Sequence, residues 1–180
     1  MNNPVTETSA DQDVVDRLAG LQPGSATYDL RHQRKKVVAA TQGSYDTLFD
    51  PSLAGISLNE RLLVALYACR LSGAATLAAH YRERLTNLPP APAELTAVET
   101  DHPDQLPDGR LRAMLLFTRA LTQRPVEGDQ AALQSLPAVG ISTPAVVVLA
   151  QLIAFISYQV RVVASLKAMQ DAAQLSEQTA

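Results

Sequence analysis

Apolar residues recur along this chain at steps of three and four, the spacing of a helix with one buried side. A short helix is predicted over 11–18, with Val14, Val15 and Leu18 together, and Gly20, Pro23 and Gly24 stop it. A longer one is predicted over 25–49, capped by Ser25 and halted by Asp50-Pro51. The third, 58–88, opens with Ser57 and Glu60 in capping-box spacing. Leu62, Leu66, Cys69, Gly73, Leu77 and His80 then form one continuous predicted face. Pro89, Pro90 and Pro92 end it, and 89–108, rich in proline and acid, is expected to be a crossing loop of about one helical turn at most, a hinge between two halves. Helices at 111–121 and 126–136 follow, with Met114, Leu115, Phe117 and Leu121 available for the core. Ser142 or Thr143 caps the last helix, with Pro144 suited to its first turn.

Strand-like alternation is absent, and composition agrees. The 180 residues hold 28 Ala and 25 Leu, both strong helix formers, while only 4% are aromatic. The expected fold is all-α: a single helical domain over 11–180, after a polar, disordered tail at 1–10. A net charge of -3 excludes the basic surplus typical of nucleic-acid binders. The single cysteine excludes an internal disulfide and any multi-cysteine metal centre. Three dispersed histidines make no metal motif, and no cofactor fingerprint is present. His32 and His102 lie in polar contexts and are expected at the surface. The basic run Arg31, His32, Arg34, Lys35 and Lys36 is expected to be a solvated helix face.

The apolar stretch 145–160 is broken by Gln151, Ser157 and Gln159 and followed by Arg161. A membrane span needs about 20 mostly apolar residues, so a buried core helix is expected instead. With no signal-like start, a cytoplasmic protein that binds neither membrane nor nucleic acid is expected.

Two stretches carry a family resemblance. The first is LRAMLLFTRALTQRPVEGDQAALQSLPAVGISTPAVVVLAQLIAFISYQVRVVASL. It places a helix, a TRALT-like turn, a short helix and Leu-Pro-x-x-Gly-Ile-Ser before a long helix bearing Ile-Ala-Phe-x-x-Tyr-x-x-Arg. The second is RLLVALYACRLSGAATLAAHY. Together they cover about half of the chain and resemble the carboxymuconolactone decarboxylase family, which shares its fold with the alkylhydroperoxidase AhpD, and its peroxidase-related branch in particular. The resemblance implies an AhpD-like orthogonal helical bundle, a homo-oligomer, and an active-site helix at 58–88.

Redox members of that family carry Cys-x-x-Cys-x-x-x-His, with a Glu twelve residues before the first Cys. Aligning the family His with His80 puts the cysteine positions on Gly73 and Thr76. The Glu position then falls on Arg61, one residue from Glu60. Shifting by one restores Glu60 but puts Ser72 and Ala75 at the thiol positions and Ala79 at the His position. Neither frame supplies a thiol pair. A thiol peroxidase needs a thiolate to form the sulfenic acid and a second thiol to resolve it. Cys69, one turn before Gly73, is expected to be a small buried hydrophobe.

The candidate catalytic residues are therefore His80, Glu60 and Thr76, with Gly73, Arg161 and Tyr158 for substrate binding. Gly73 and Thr76 in place of cysteines would leave a small concavity with a hydroxyl and the His80 imidazole at its wall. Glu60 could orient His80, but on one unbroken helix 20 residues span about 30 Å. The pair can meet only across a kink or from another subunit. Arg161, placed inside an apolar helix, must be paired with Glu60 or an Asp, or else face a cavity. Three functions follow. One is a thiol-depleted ligand-binding or partner subunit of an oxidative-stress or small-molecule catabolic system, beside a paralogue that keeps the cysteine pair. Another is a thiol-independent decarboxylase of a small carboxylate, with His80 as acid or base and Arg161 holding the carboxylate. The third is a structural oligomerisation protein.

Overall fold

A computed structural model of the protein describes residues 13–88 and 90–178, so the expected tail at 1–10 lies outside the described residues. The fold is all-α. Among the described residues there are nine α-helices joined by turns and short 3-10 segments, and no strand. The helices are α1 (Val14–Ala19), α2 (Ala26–His32), α3 (Lys35–Leu48), α4 (Leu58–Leu71), α5 (Ala75–Arg84), α6 (Pro92–Thr100), α7 (Gly109–Gln123), α8 (Gln130–Gln134) and α9 (Thr143–Gln178).

The predicted start signals operate as local hydrogen bonds. The Ser25 hydroxyl accepts from Tyr28 N at 3.3 Å. At α4 the capping box is complete, with Glu60 N donating to Ser57 Oγ at 3.2 Å and Ser57 N to Glu60 Oε2 at 2.7 Å. A cap that the sequence reading did not name also operates at α7, where Asp108 accepts from Arg110 N at 2.9 Å.

Three boundaries differ most from the sequence reading, besides the helix predicted over 126–136, which is shortened to α8 between 3-10 segments. The helix predicted over 25–49 breaks after His32 into α2 and α3. The helix predicted over 58–88 breaks at residues 72–74. There Gly73 takes a left-handed φ of 67°, a conformation costly for any residue with a Cβ. The Ser72 hydroxyl helps to close α4 by donating to Ala68 O at 2.8 Å. The chain turns, so α5 packs back on α4 and the predicted continuous face does not exist. The third difference is α6, nine residues long, in the segment expected to be a loop. Pro92 sits in its first turn, and the Glu94 carboxylate accepts from Ala91 N at 2.8 Å. Its Ala97 and Val98 are buried.

Two compact units divide the chain: Met1–Gly43 with Val162–Ala180, and Ser44–Arg161. Within the first, Asp13 caps α1 and Val14 N donates to Gln42 Oε1 at 2.8 Å. Arg31 bridges Asp13 and Asp16 at 2.8 and 2.6 Å, and His32 Nε2 lies 2.8 Å from Asp16 Oδ2. The basic run is therefore not all solvated, because its first two members close on a buried carboxylate. Gln170 Nε2 reaches Gly20 O at 3.2 Å.

Within the second unit α4 is central and packs against α5, α6 and α7. Every residue from Arg61 to Cys69 is buried. A helix apolar on all sides and covered on all sides belongs in the middle of a helical array. Gly55, at a φ of 92°, lets the backbone run close to α9, where an added Cβ would meet Ala145 Cβ at 3.0 Å. α9 buries one face, with Leu149, Leu152 and Ile156 fully covered, but Val147 and Tyr158 stay exposed. Only 39% of its most apolar 18-residue window is buried, so it is less enclosed than the core helix expected from sequence.

Candidate functional site

All six candidate residues lie in the second unit, and the structure separates them. Glu60 does not orient His80. One of its carboxylate oxygens caps α4, and the other accepts from Arg110 Nε at 2.8 Å. Thr76 is exposed in the first turn of α5, while His80, one turn on, is buried at 9% exposure. Gly73 lies in the turn between α4 and α5, so it shares no helix with Thr76 and His80, which stay one turn apart on α5. A shallow groove of about 250 Å³ does open beside Gly73. It is lined by Arg70, Gly73, Ala74, Ala75 and Ala78, not by the Thr76 hydroxyl or the His80 ring.

Arg161 is exposed, contrary to the expectation of a buried charge. It folds back along its own helix, donating to Ser157 O at 2.9 Å and to the Ser157 hydroxyl. No ion pair to Glu60 or an Asp is needed, because the guanidinium remains in water. Tyr158 is 40% exposed, with its ring beside Phe155.

Cys69 is fully buried in α4. Burial pushes its thiol up to about 12, so near neutrality it stays protonated and inert. No thiol stands at Gly73 or Thr76.

What surrounds His80 is a polar cluster that the sequence did not point to. Tyr45 Oη lies 2.8 Å from His80 Nε2, and Arg84 Nη1 donates to the same phenol oxygen at 2.8 Å. The Arg84 guanidinium stands 4.8 Å from the Phe49 ring centre and 5.4 Å from that of Tyr45. Both lie within the range of cation–π attraction. Tyr81 packs its ring edge against His80 and sends its hydroxyl to Gln159 Oε1 at 2.7 Å. Burial, with Cys69 and Tyr45 nearby, holds the Tyr81 phenol well above its ordinary value. Tyr81 is therefore a structural hydroxyl, whereas Tyr45 and Arg84 are only half-buried.

Arg61, beside Glu60, is fully buried and, among the described residues, meets no carboxylate at hydrogen-bond distance. It donates to Leu48 O at 2.6 Å, Asp50 O at 2.9 Å and Ser57 O at 3.4 Å. It thereby closes the carbonyl end of α3, where a cation is favoured. A second knot ties α4 to α7: Tyr67 donates to the Asp101 carboxylate, and Arg119 Nε donates to Tyr67 Oη at 2.8 Å. Asp101 holds a left-handed φ of 61°, and this knot stabilises it.

Only two signals could have indicated the His80 cluster. One is the i, i+4 pair His80 and Arg84 on α5, and the other is Gln159 inside an apolar run. Tyr45, 35 residues from His80, has no local signature. Among the described residues, no group of three His, Cys, Asp or Glu side chains could hold a metal ion. Fold and site together define an all-α protein with a buried, inert thiol and a histidine–tyrosine–arginine cluster. No family model matches the chain, and no curated protein matches it.

Proposed function

We propose that this protein is a thiol-depleted AhpD-like protein, related to the peroxidase branch of the carboxymuconolactone decarboxylase family. It serves as a ligand-binding or partner subunit in an oxidative-stress or small-molecule catabolic system. In this reading it is cytoplasmic and a homo-oligomer, and a paralogue with an intact cysteine pair is its candidate partner. The observation that carries the reading is the state of its only thiol. Cys69 is sealed inside α4 with its thiol raised to about 12 and has no second cysteine to resolve a sulfenic acid. A thiolate is the attacking species in peroxide reduction, and this site does not supply one. Steady-state peroxide consumption with a dithiol reductant should stay at background, and Cys69→Ser should leave it there. A robust rate abolished by Cys69→Ser would overturn the proposal.

A second reading, thiol-independent decarboxylation of a small carboxylate, is favoured by the hydrogen bond between His80 and Tyr45. A histidine engaged with a phenol can move a proton near neutral pH. In this reading Glu60 and Arg161 have no part, since both are engaged elsewhere. Release of carbon dioxide from small carboxylate substrates, lost in His80→Gln, is the outcome it requires.

A further inference from the structure

We infer that α6 is a latched strap that gates the groove beside Gly73, and that opening it frees Arg70 for an anionic group entering there. The inference rests on the ligand-binding reading above and adds how access to that site is controlled. Arg70 is the part that strap and groove share. It lines the groove of about 250 Å³, and its Nη2 donates to Glu99 O at the end of α6. While that bond holds, the guanidinium is committed to α6.

Three observations make α6 the helix of this unit that lets go first. It buries only Ala97 and Val98, whereas α4, on which it packs, is covered without a break from Arg61 to Cys69. A segment with few buried apolar contacts opens at a smaller free energy than the core. Charge holds it instead. Arg82 Nε lies 2.6 Å from Glu99 Oε1, and Tyr67 donates to the Asp101 carboxylate. Arg119 Nη2 donates to Asp101 Oδ1 at 2.9 Å and to Asp101 O at 2.8 Å. Both ion pairs reach water, with the Arg82 side chain 52% and the Asp101 side chain 54% exposed, so salt screens them. The closed latch also carries strain. Among the described residues, glycine aside, Asp101 alone takes a left-handed φ, 61°, and opening relieves it.

All of these bonds converge on 99–101, and their donors come from three helices: Tyr67 and Arg70 on α4, Arg82 on α5 and Arg119 on α7. Closed, α6 sets two carboxylates against three guanidiniums. Open, it withdraws both carboxylates and the Glu99 carbonyl, and the face beside the groove gains positive charge. The strap therefore acts as an autoinhibitory contact toward an anion. Ala74, Ala75 and Ala78 line the rest of the groove and suit an anion with a small apolar body.

Hydrogen exchange of the full chain at neutral pH tests the latch. Amides of 92–101 should exchange faster than those of α4 and α7, and about threefold faster again in about 1 M salt. Asp101→Asn keeps the size and tolerates the left-handed backbone; it should speed exchange in α6 by about tenfold and leave α4 unchanged. Exchange in α6 as slow as in α4, or unmoved by salt and by Asp101→Asn, overturns the latch. Ala78→Cys then reads the gate, because it puts a thiol on the groove wall while Cys69 stays buried. Its labelling rate is compared for an anionic aryl disulfide and neutral iodoacetamide. Asp101→Asn should raise the anionic-to-neutral ratio by about threefold or more, and adding Arg70→Gln should cancel the rise. A ratio unchanged by Asp101→Asn, or a rise that survives Arg70→Gln, overturns the gate. Should Asp101→Asn fail to fold, Glu99→Gln, which breaks the Arg82 pair, takes its place in both measurements under the same criteria. Peroxide turnover is read separately, so background turnover with a rigid α6 removes this inference and leaves the proposed function standing.

Discussion

Two buried side chains of α4 show how a single residue can be committed to the fold and removed from chemistry. Arg61 satisfies three carbonyls at once, and burial lowers its guanidinium below the ordinary value without discharging it. Arg61→Met keeps most of the volume but takes the donor from Leu48 O, while Asp50 O and Ser57 O keep the backbone N–H groups of Leu53 and Arg61. It should cost about 1–3 kcal/mol, the cost of one buried carbonyl left unsatisfied. A lower urea midpoint with unchanged slope would show this. Cys69 is the complementary case. With the thiol raised from 9.0 to about 12, the folded state binds its proton more tightly than the unfolded chain does. Its contribution to stability is complete below pH 9 and is lost as pH rises toward 12. Burial holds the Tyr81 phenol in the same direction, so stability should fall on the alkaline side. Thiol labelling should be negligible in the native protein at neutral pH and complete after denaturation; Cys69→Ser should flatten the alkaline limb of a pH series of urea melts.

At the scale of the element, the turn between α4 and α5 decides the architecture of the site. Gly73 has open space where a Cβ would go, so Gly73→Ala introduces only the left-handed backbone cost. That cost is about 1–2 kcal/mol, read as a lower melting temperature. Ser57→Ala removes half of the capping box of α4 and should cost about 1 kcal/mol. Both changes leave the Tyr45–His80 contact in place. The caps were legible in sequence because a cap is a local pattern, and so was the all-α class, because Ala and Leu dominate. The break at Gly73 was not legible. A glycine inside a helical period is tolerated in many helices, and only the packing of α5 back on α4 selects the left-handed form. α6 was hidden for the opposite reason. Its proline lies where a helix accepts one, but only Ala97 and Val98 in its C-terminal half are buried, too few to set a period. At the site, His80, Glu60 and Thr76 were legible only through a resemblance, and Arg161 was expected to be a buried charge because it follows an apolar run on α9, where it is in fact exposed. Tyr45 and Arg84 join His80 through tertiary packing, which leaves no spacing to read.

For the whole molecule, the open question is what α9 does with its uncovered side. A helix with a mean hydropathy of 1.9 over its most apolar window could be a core element, a membrane span or a subunit contact. Its buried face, with Leu149, Leu152 and Ile156, accounts for the first role only in part. Arg161, Gln151 and Ser157 interrupt the apolar character within about 20 residues, which weighs against a span. The exposed Val147 and Tyr158 are then apolar surface left in water, which a second subunit would remove. The proposed homo-oligomer makes this measurable. Light scattering at micromolar concentration should give a mass that is a multiple of 19.3 kDa. Val147→Glu and Tyr158→Glu, each at an exposed position, should leave helix content unchanged and weaken association by about tenfold or more if α9 is the contact. A monomer across that concentration range removes the homo-oligomer from the proposal. Co-sedimentation with lipid vesicles would instead assign the uncovered side of α9 to a membrane.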